Sequence, residues 1–178
     1  MKGMLPKYLP LVDLKKLLDA PYQSNVRDRL ILRLMANAGL RVSEVVSLQK
    51  NNFRFDEEKL FVTGKGKKSR MIPLTHPDLY RLAEQYTKDM NPEDLLFDLE
   101  RQSINALVKR YAKRAGILEK VHPHMLRHSF AVYSIKEGMD IRNLQKILGH
   151  SSLNNTAIYL DLTGEDLIQS SKNHPLPY

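Results

Sequence analysis

The 178-residue chain contains no cysteine, and this absence excludes several classes of protein. Without cysteine there is no disulfide scaffold, no thiolate metal site and no cysteine nucleophile. Long apolar runs are also missing: no stretch approaches the roughly 18 residues of a membrane span, and the first residues, MKGMLPKYLP, lack the apolar core of a signal peptide. The sequence therefore predicts a soluble cytoplasmic protein in which residues 1–178 form a single domain.

Motifs that bind nucleotides or metal ions are missing as well. The glycines around Lys65 do not stand in the GxxxxGK[ST] context of a phosphate-binding P-loop. The chain has no glycine-rich dinucleotide fingerprint, no HExxH pair and no GxSxG elbow. We therefore expect neither a cofactor nor a metal ion.

Basic residues are in excess and unevenly distributed along the chain. Lys and Arg total 28 against 20 Asp and Glu, which gives a formal net charge of +8 and a pI near 9.6. Residues 59–70 and 101–128 are strongly basic, whereas residues 76–100 are acidic. This segregation favours a face that binds phosphates, although solvated helix faces are an alternative. An RNA-binding domain is disfavoured, because the aromatic motif of an RRM and a GxxG loop followed by a helix are missing.

The spacing of apolar residues predicts a mostly helical protein. Apolar residues recur at helical intervals after Val26, and Gly39 takes the position of a left-handed C-cap. Two β-type runs between Lys59 and Leu74 flank a glycine-containing loop and predict a hairpin. Further helices are expected before Pro21, through Val42, after Thr75, Ser103, Pro123 and Asp140, and around Tyr159. The predicted fold class is α+β, mostly α-helical with a small antiparallel β-sheet.

Two groups of polar residues stand close together in the sequence. Arg41 and Glu44 could act together, or they could form an ordinary surface ion pair. His124, Arg127 and His128 share one helix face, where an oxyanion such as phosphate would satisfy them. The alternatives are an incidental histidine pair and a metal site, but an arginine between the imidazoles is a poor neighbour for a dication.

Three further residues are ambiguous when each is taken alone. Lys65 lies between Gly64 and Gly66 at the hairpin tip, where it could reach a ligand or form a solvated turn. His150 could serve chemistry or cap a helix. Tyr159 could be a nucleophile or a half-buried aromatic residue.

Together, these groups form an ordered set: GLRVSE, TGKGKKSRMIPL, HPHMLRHSFA, LGHSS and TAIY. This set resembles the catalytic domain of the tyrosine recombinase (phage integrase-like) family, in particular its Xer-type members. The resemblance extends from LPKYLPLVDLKKLLDAP to about Gly164, and Tyr159 lies nine positions after His150. It implies the fold of the DNA breaking and rejoining enzymes.

The resemblance also implies roles for individual residues. The catalytic positions of the family are matched by Arg41, Lys65, His124, Arg127, His150 and Tyr159. Tyr159 is the expected nucleophile, and Arg41 and Arg127 are expected to clamp the phosphate. Glu44 is expected to support the first arginine, and His128 occupies a supporting position without an assigned role.

The chemistry of these residues suits attack on a DNA phosphodiester. Arg41 and Arg127 can hold the charge that builds on the non-bridging oxygens. His124, shared with His150, is the candidate for handling the tyrosine proton, and Lys65 is the candidate acid for the departing 5′-hydroxyl. The expected product is a 3′-phosphotyrosyl enzyme, which retains the bond energy and religates without ATP or metal.

The expected partner is a double-stranded DNA recombination site. Candidate DNA contacts are the basic residues of the hairpin and of the helix over 103–115, namely Lys67, Lys68, Arg70, Lys109, Arg110, Lys113 and Arg114. By resemblance, strand exchange takes place in a tetramer on DNA, and residues 165–178 either dock on a neighbouring protomer or form a frayed tail. The N-terminal DNA-clamping domain usual in the family is expected to be absent. Type IB topoisomerase-like relaxation, or a DNA-binding module without cleavage activity, are the alternative functions.

Overall fold

The structure, a computed structural model, describes residues 6–64, 69–150, 152 and 154–159. Its helices are α1 (Leu11–Asp19), α2 (Val26–Asn37), α3 (Val42–Val45), α4 (Pro77–Thr87), α5 (Arg101–Arg114), α6 (Pro123–Lys136), α7 (Ile141–Leu148) and α8 (Asn154–Ala157). Its strands are β1 (Phe53–Arg54), β2 (Lys59–Thr63) and β3 (Ser69–Pro73), and a 3₁₀ turn spans Lys50–Asn52. The predicted α+β class is confirmed.

Helix α2 forms the centre of the main core. The Asn25 side chain accepts a hydrogen bond from the backbone N–H of Asp28 at 3.1 Å and so caps the start of the helix. Every residue from Asp28 to Ala36 is buried, and α2 packs against α4 and α6 in particular. After Ala38, Gly39 adopts the predicted left-handed conformation, with φ of 64°. The chain therefore turns sharply into α3, which places Arg41 beside the end of α2.

The antiparallel sheet has the order β1-β2-β3. Strands β2 and β3 pair as predicted: Leu60 and Ile72 face the core, while their neighbours Phe61 and Met71 are exposed. Strand β1 has only two residues and was not predicted, because so short a segment carries no alternation of its own. The hairpin loop 65–68, with Lys65, Lys67 and Lys68, lies outside the described residues.

Three helix positions differ from the predicted ones. Helix α4 is capped at His76 rather than Thr75, because Pro77 occupies its first turn. Helix α5 begins at Arg101 rather than after Ser103, because the extended residue Glu100 accepts the first backbone hydrogen bonds of the helix. Tyr159 follows the short helix α8 in a turn instead of lying within it. The helices expected from Pro123 and Asp140 begin as predicted.

A second, smaller core holds Tyr159 in place. It comprises Ala131, Val132, Leu144, Leu148 and Tyr159, all buried. The tyrosine is therefore packed between α6 and α7, near the residues that the sequence pairs with it. Within the described ranges, no helix combines the length and apolarity needed to cross a membrane.

Candidate active site

Glu44 caps the start of α3 by accepting two hydrogen bonds from Arg41. Glu44 Oε2 accepts a hydrogen bond from the backbone N–H of Arg41 at 2.8 Å, and Oε1 accepts one from Arg41 Nη1 at 3.0 Å. The arginine side chain keeps 35% of its surface exposed, whereas that of Glu44 keeps 3%. The predicted support of Arg41 by Glu44 is therefore present in the structure, and the pair lies at the edge of a cleft rather than on an open surface.

Glu44 also contacts two arginines that are distant in the sequence. Arg70 on β3 donates from both terminal nitrogens to the two carboxylate oxygens, at 2.8 and 2.9 Å. Arg127 on α6 lies 3.8 Å from Glu44 Oε2. Burial acts to raise the pKa of Glu44, but the hydrogen bonds and charges of the arginines outweigh burial and lower that pKa. The carboxylate is therefore charged at neutral pH.

The guanidinium of Arg127 is held by the ends of two helices. Its Nη1 donates to the Gly39 carbonyl and its Nη2 to the Leu148 carbonyl, the latter at 2.6 Å. The Leu148 carbonyl belongs to the last turn of α7, whose carbonyls have no partner within the helix, and the Gly39 carbonyl lies just past α2. Burial and the charge of Arg41 lower the pKa of Arg127 to about 9. Arg127 therefore keeps its positive charge at neutral pH in a fixed position.

His150 lies next to Arg127 and is neutral at pH 7. Its Nε2 is 3.2 Å from Arg127 Nη2, and its Nδ1 is 3.0 Å from Thr156 Oγ1. A guanidinium can only donate, so Nε2 accepts and the ring proton resides on Nδ1. Burial and the charge of Arg127 lower the pKa of His150 to about 4. Arg127 thus sets the tautomer of this histidine, and the Thr156 hydroxyl on α8 accepts a hydrogen bond from Nδ1.

Tyr159 contacts His128, the histidine to which the sequence assigned no role. The phenol oxygen lies 2.7 Å from His128 Nδ1, and Tyr159 is only 1% exposed. Burial, followed by the nearby His124 and Arg127, lowers the pKa of His128 to about 4. Burial raises the pKa of Tyr159, although Arg127 and Arg41 act in the opposite direction. In this conformation a neutral phenol and a neutral imidazole share one hydrogen bond beneath the surface.

His124 is exposed one turn earlier on the same face of α6. Its ring centre lies 6.4 Å from that of His128 and 6.3 Å from that of His122. Desolvation and the charge of His122 lower its pKa. The structure thus places His128 against the tyrosine, whereas the sequence predicts that His124, shared with His150, handles the tyrosine proton. The repeating histidines of α6 were the available signal, but spacing alone could not say which one faces Tyr159.

A cleft of about 970 Å³ opens above these groups. It is lined by Arg41, Ser43, Glu44, Thr63, Gly64, Ser69, Arg70, Arg101, Gly149, His150 and Asn155. Gly64 and Ser69 flank the undescribed loop, so Lys65 follows directly on a residue of the cleft wall. Among the described residues, no group of three His, Asp or Glu side chains could hold a metal ion.

Apart from Lys67 and Lys68, which lie outside the described residues, the predicted DNA contacts divide into two groups. Arg70 needs correction: its side chain is 10% exposed and is occupied by Glu44, so it offers no free charge to DNA. The α5 residues Lys109, Arg110, Lys113 and Arg114 are exposed. Arg110 pairs with buried Asp28 at 3.1 Å, and Arg114 lies 3.8 Å above the Tyr22 ring. At 1.5 Å per residue, these four lie roughly 12–20 Å along α5 from its start.

A further cleft residue is Arg101, the first residue of α5, which is not among the DNA contacts predicted from the sequence. It is exposed and lines the same cleft as Arg41. The available signal was its place at the start of the basic segment 101–128. Because the sequence predicts that the helix starts at Ser103, it assigns Arg101 to the preceding loop and does not indicate its place at the cleft.

Residues 7–165 match the sequence model of the phage integrase family. The match covers most of the chain and includes every residue of the site described above. The chain belongs to the phage integrase family. The resemblance seen in the ordered sequence motifs is thereby confirmed at the level of the family.

Relatives within the phage integrase family include named recombinases. The chain is 36% identical to the tyrosine recombinase XerC of Thermodesulfovibrio yellowstonii over 99% of its own length and 65% of that protein. The crystal structure of XerA recombinase matches with a TM-score of 0.82 and 30% identity, covering 98% of this chain and 68% of the other. XerH bound to a palindromic difH substrate, a post-cleavage complex, matches with a TM-score of 0.77 and 26% identity over 96% of this chain and 54% of the other.

The neutral histidines of this integrase-family site predict a pH dependence of stability. His128 and His150 have folded pKa values of about 4, below the ordinary 6.5. The unfolded chain therefore binds these protons first as the pH falls, so the free energy of unfolding should decrease steadily from about pH 6.5 to 4.5, before most carboxylates titrate. Urea denaturation at a series of pH values measures this slope. The double variant His128→Asn with His150→Asn should show a shallower slope, and an unchanged slope would contradict the assignment.

Proposed function

We propose that this chain is the catalytic domain of a site-specific DNA recombinase, formed by residues 1–178 and acting in the cytoplasm. In the proposed reaction, Tyr159 attacks a DNA phosphodiester to form a 3′-phosphotyrosyl intermediate, and strand exchange and religation follow without ATP or a metal ion. The observation that carries the proposal is that Arg41 and His150 line one cleft, that Arg127 contacts His150 beneath it, and that Tyr159 is held by His128 one residue along α6 from Arg127. This chain spans 65% of its XerC relative, so the activity of a whole recombinase is part of the proposal.

The charge of the cleft suits a phosphodiester. Three guanidinium groups surround one carboxylate, which leaves an excess of two positive charges. A phosphodiester carries one negative charge, and its pentavalent transition state carries two. Preorganised donors aimed at developing charge are a large source of rate enhancement. Arg41, with its partly exposed side chain, is the arginine best placed to reach the phosphate, and Arg127 supplies charge from a fixed position below it.

The nucleophile has to lose a proton and reach the cleft. We propose that His128 holds the neutral phenol in the buried conformation, because its Nδ1 lies 2.7 Å from the phenol oxygen. The buried phenol cannot attack DNA in the conformation described, so the turn that follows α8 must move outward when DNA binds. His124, exposed one turn away, is proposed to handle the proton once Tyr159 lies in the cleft. His150 orients the phosphate beside Arg127.

The remaining steps rest on groups outside the described residues. Lys65 is proposed as the acid that protonates the departing 5′-hydroxyl, since it adjoins Gly64 on the cleft wall. An incoming 5′-hydroxyl from a partner duplex would then displace Tyr159 and exchange strands. We propose that this takes place in a tetramer on DNA, with residues 165–178 docking on a neighbour, and that a DNA-clamping domain assists. The DNA-bound XerH structure supports DNA as the partner.

The covalent intermediate is the direct test. A library of nicked duplexes with randomised sequence is incubated with the protein, since the nick lets the short strand diffuse away and traps the adduct. After denaturation, protein-bound DNA is sequenced. Tyr159→Phe should abolish the adduct and leave DNA affinity within about twofold, because it removes only one hydroxyl and one hydrogen bond.

The sequences of the trapped DNA separate the alternatives. Adducts concentrated at one short sequence are the expected result for a site-specific recombinase. Adducts scattered over all sequences would favour type IB topoisomerase-like chemistry. DNA binding without any adduct would favour a binding module, and adducts that persist in Tyr159→Phe would identify a different nucleophile and contradict the proposal.

Arg101 is a further proposed DNA contact, and its contribution can be measured by salt dependence. Each phosphate neutralised adds about 0.9 to the slope of log affinity against log salt concentration. Arg101→Ala should weaken DNA binding and reduce this slope by about one contact. Arg81→Ala is the matched control: Arg81 is an exposed arginine of α4 that is not among the residues lining the cleft. Equal effects of the two variants would exclude Arg101 from the interface.

A further inference from the structure

Arg70 connects three parts of the site that are separate in the sequence. It lies on β3, one residue after the strand pair Thr63 and Ser69 that closes the hairpin loop. Its Nη1 and Nη2 donate to Glu44 on α3, and its Nε donates to the Ile147 carbonyl near the end of α7 at 2.6 Å. One side chain thus connects the base of the hairpin to the segments that carry Arg41 and His150.

The surroundings of Arg70 are shaped to hold an arginine in this orientation. A Cβ atom added to Gly149 would lie 2.9 Å from Arg70 Cδ and 3.2 Å from its Nε and Nη1. Gly149 also has φ of 64°, a conformation that disfavours other residues. The glycine of the LGH motif therefore leaves room for Arg70 as well as ending α7. A lysine has one ammonium group and cannot make the same three contacts.

Arg70 also changes what Glu44 does to the other two arginines. With Arg70 present, the cluster has three guanidinium groups and one carboxylate, and its net charge is two. Without Arg70, the same carboxylate would be balanced only by Arg41 and Arg127, and one positive charge would remain. The bidentate pair with Arg70 is the shortest set of ion-pair contacts that Glu44 makes in the described structure.

We propose that Arg70 is a positioning residue of the cleavage reaction, an inference that rests on the proposed function. It fixes the base of the Lys65 hairpin against the arginine cluster, and it neutralises Glu44 so that Arg41 and Arg127 keep their charge for the phosphate. Arg70 itself touches no DNA. Its loss should therefore lower the rate of bond cleavage while leaving DNA affinity nearly unchanged.

The experiment measures adduct formation under single-turnover conditions with the nicked duplex library, alongside DNA affinity and the melting temperature. Arg70→Met, a neutral unbranched side chain, should cleave on the order of 100-fold more slowly, the loss expected when the donors that Arg70 positions are displaced. Arg70→Lys keeps the charge but loses the paired donors that contact Glu44. Its cleavage rate should fall between those of Arg70→Met and the wild type. Arg81→Met is the matched control on α4 and should cleave like the wild type.

A charge-balance role makes a prediction that a purely structural role does not. Adding Glu44→Gln to Arg70→Met restores the net charge of two on the remaining arginines. The double variant should therefore cleave faster than Arg70→Met alone. If Arg70→Met melts below the assay temperature, both variants are compared at a lower temperature at which each is folded.

The outcomes separate this inference from the proposed function. A wild-type protein that forms no adduct would overturn the proposed function itself. A wild type that cleaves, together with Arg70→Met at the wild-type rate, would overturn only the role of Arg70. A loss confined to DNA affinity would also overturn it, because that result would make Arg70 a DNA contact.

Discussion

A buried carboxylate surrounded by guanidinium groups is the interaction on which the site depends. Glu44 is 3% exposed, and an unpaired charge at such a position would be strongly destabilising. Its partners come from three elements: Arg41 at the start of α3, Arg70 on β3 and Arg127 on α6. The contacts that stabilise the Glu44 carboxylate therefore bring the start of α3, strand β3 and helix α6 together. Three guanidinium groups against one carboxylate leave two positive charges beside the cleft.

The second feature of the site is that the ends of two helices hold Arg127 in place. Arg127 donates to the carbonyls of Gly39 and Leu148, which follow or end helices α2 and α7. Such carbonyls need partners, so the same guanidinium that the reaction requires also satisfies the backbone. Each helix is followed by a glycine with positive φ, and a side chain at Gly39 would collide with Phe130, as one at Gly149 would with Arg70. The contacts of Arg127 therefore satisfy backbone carbonyls and also fix the guanidinium that is proposed to act on the phosphate.

Local signals predicted much of this arrangement, and tertiary contacts account for the rest. The left-handed turn at Gly39, the hairpin, the place of Pro123 in the first turn of α6 and the cap at Asp140 each depend on a few neighbouring residues, so they could be predicted from the sequence. The inward turn of Arg70 and the contact of His128 with Tyr159 join residues 26 and 31 positions apart. A basic residue on a strand and a histidine on a helix face give no local indication of such partners, so the sequence predicts a DNA contact for Arg70 and no role for His128.

The identity of the covalent linkage tests the central claim most directly. The trapped adduct can be digested with nuclease and protease, and the modified peptide sequenced by mass spectrometry. The expected product is a nucleotide joined through its 3′-phosphate to the peptide that contains Tyr159. Attachment to any other residue, or through a 5′-phosphate, would contradict it.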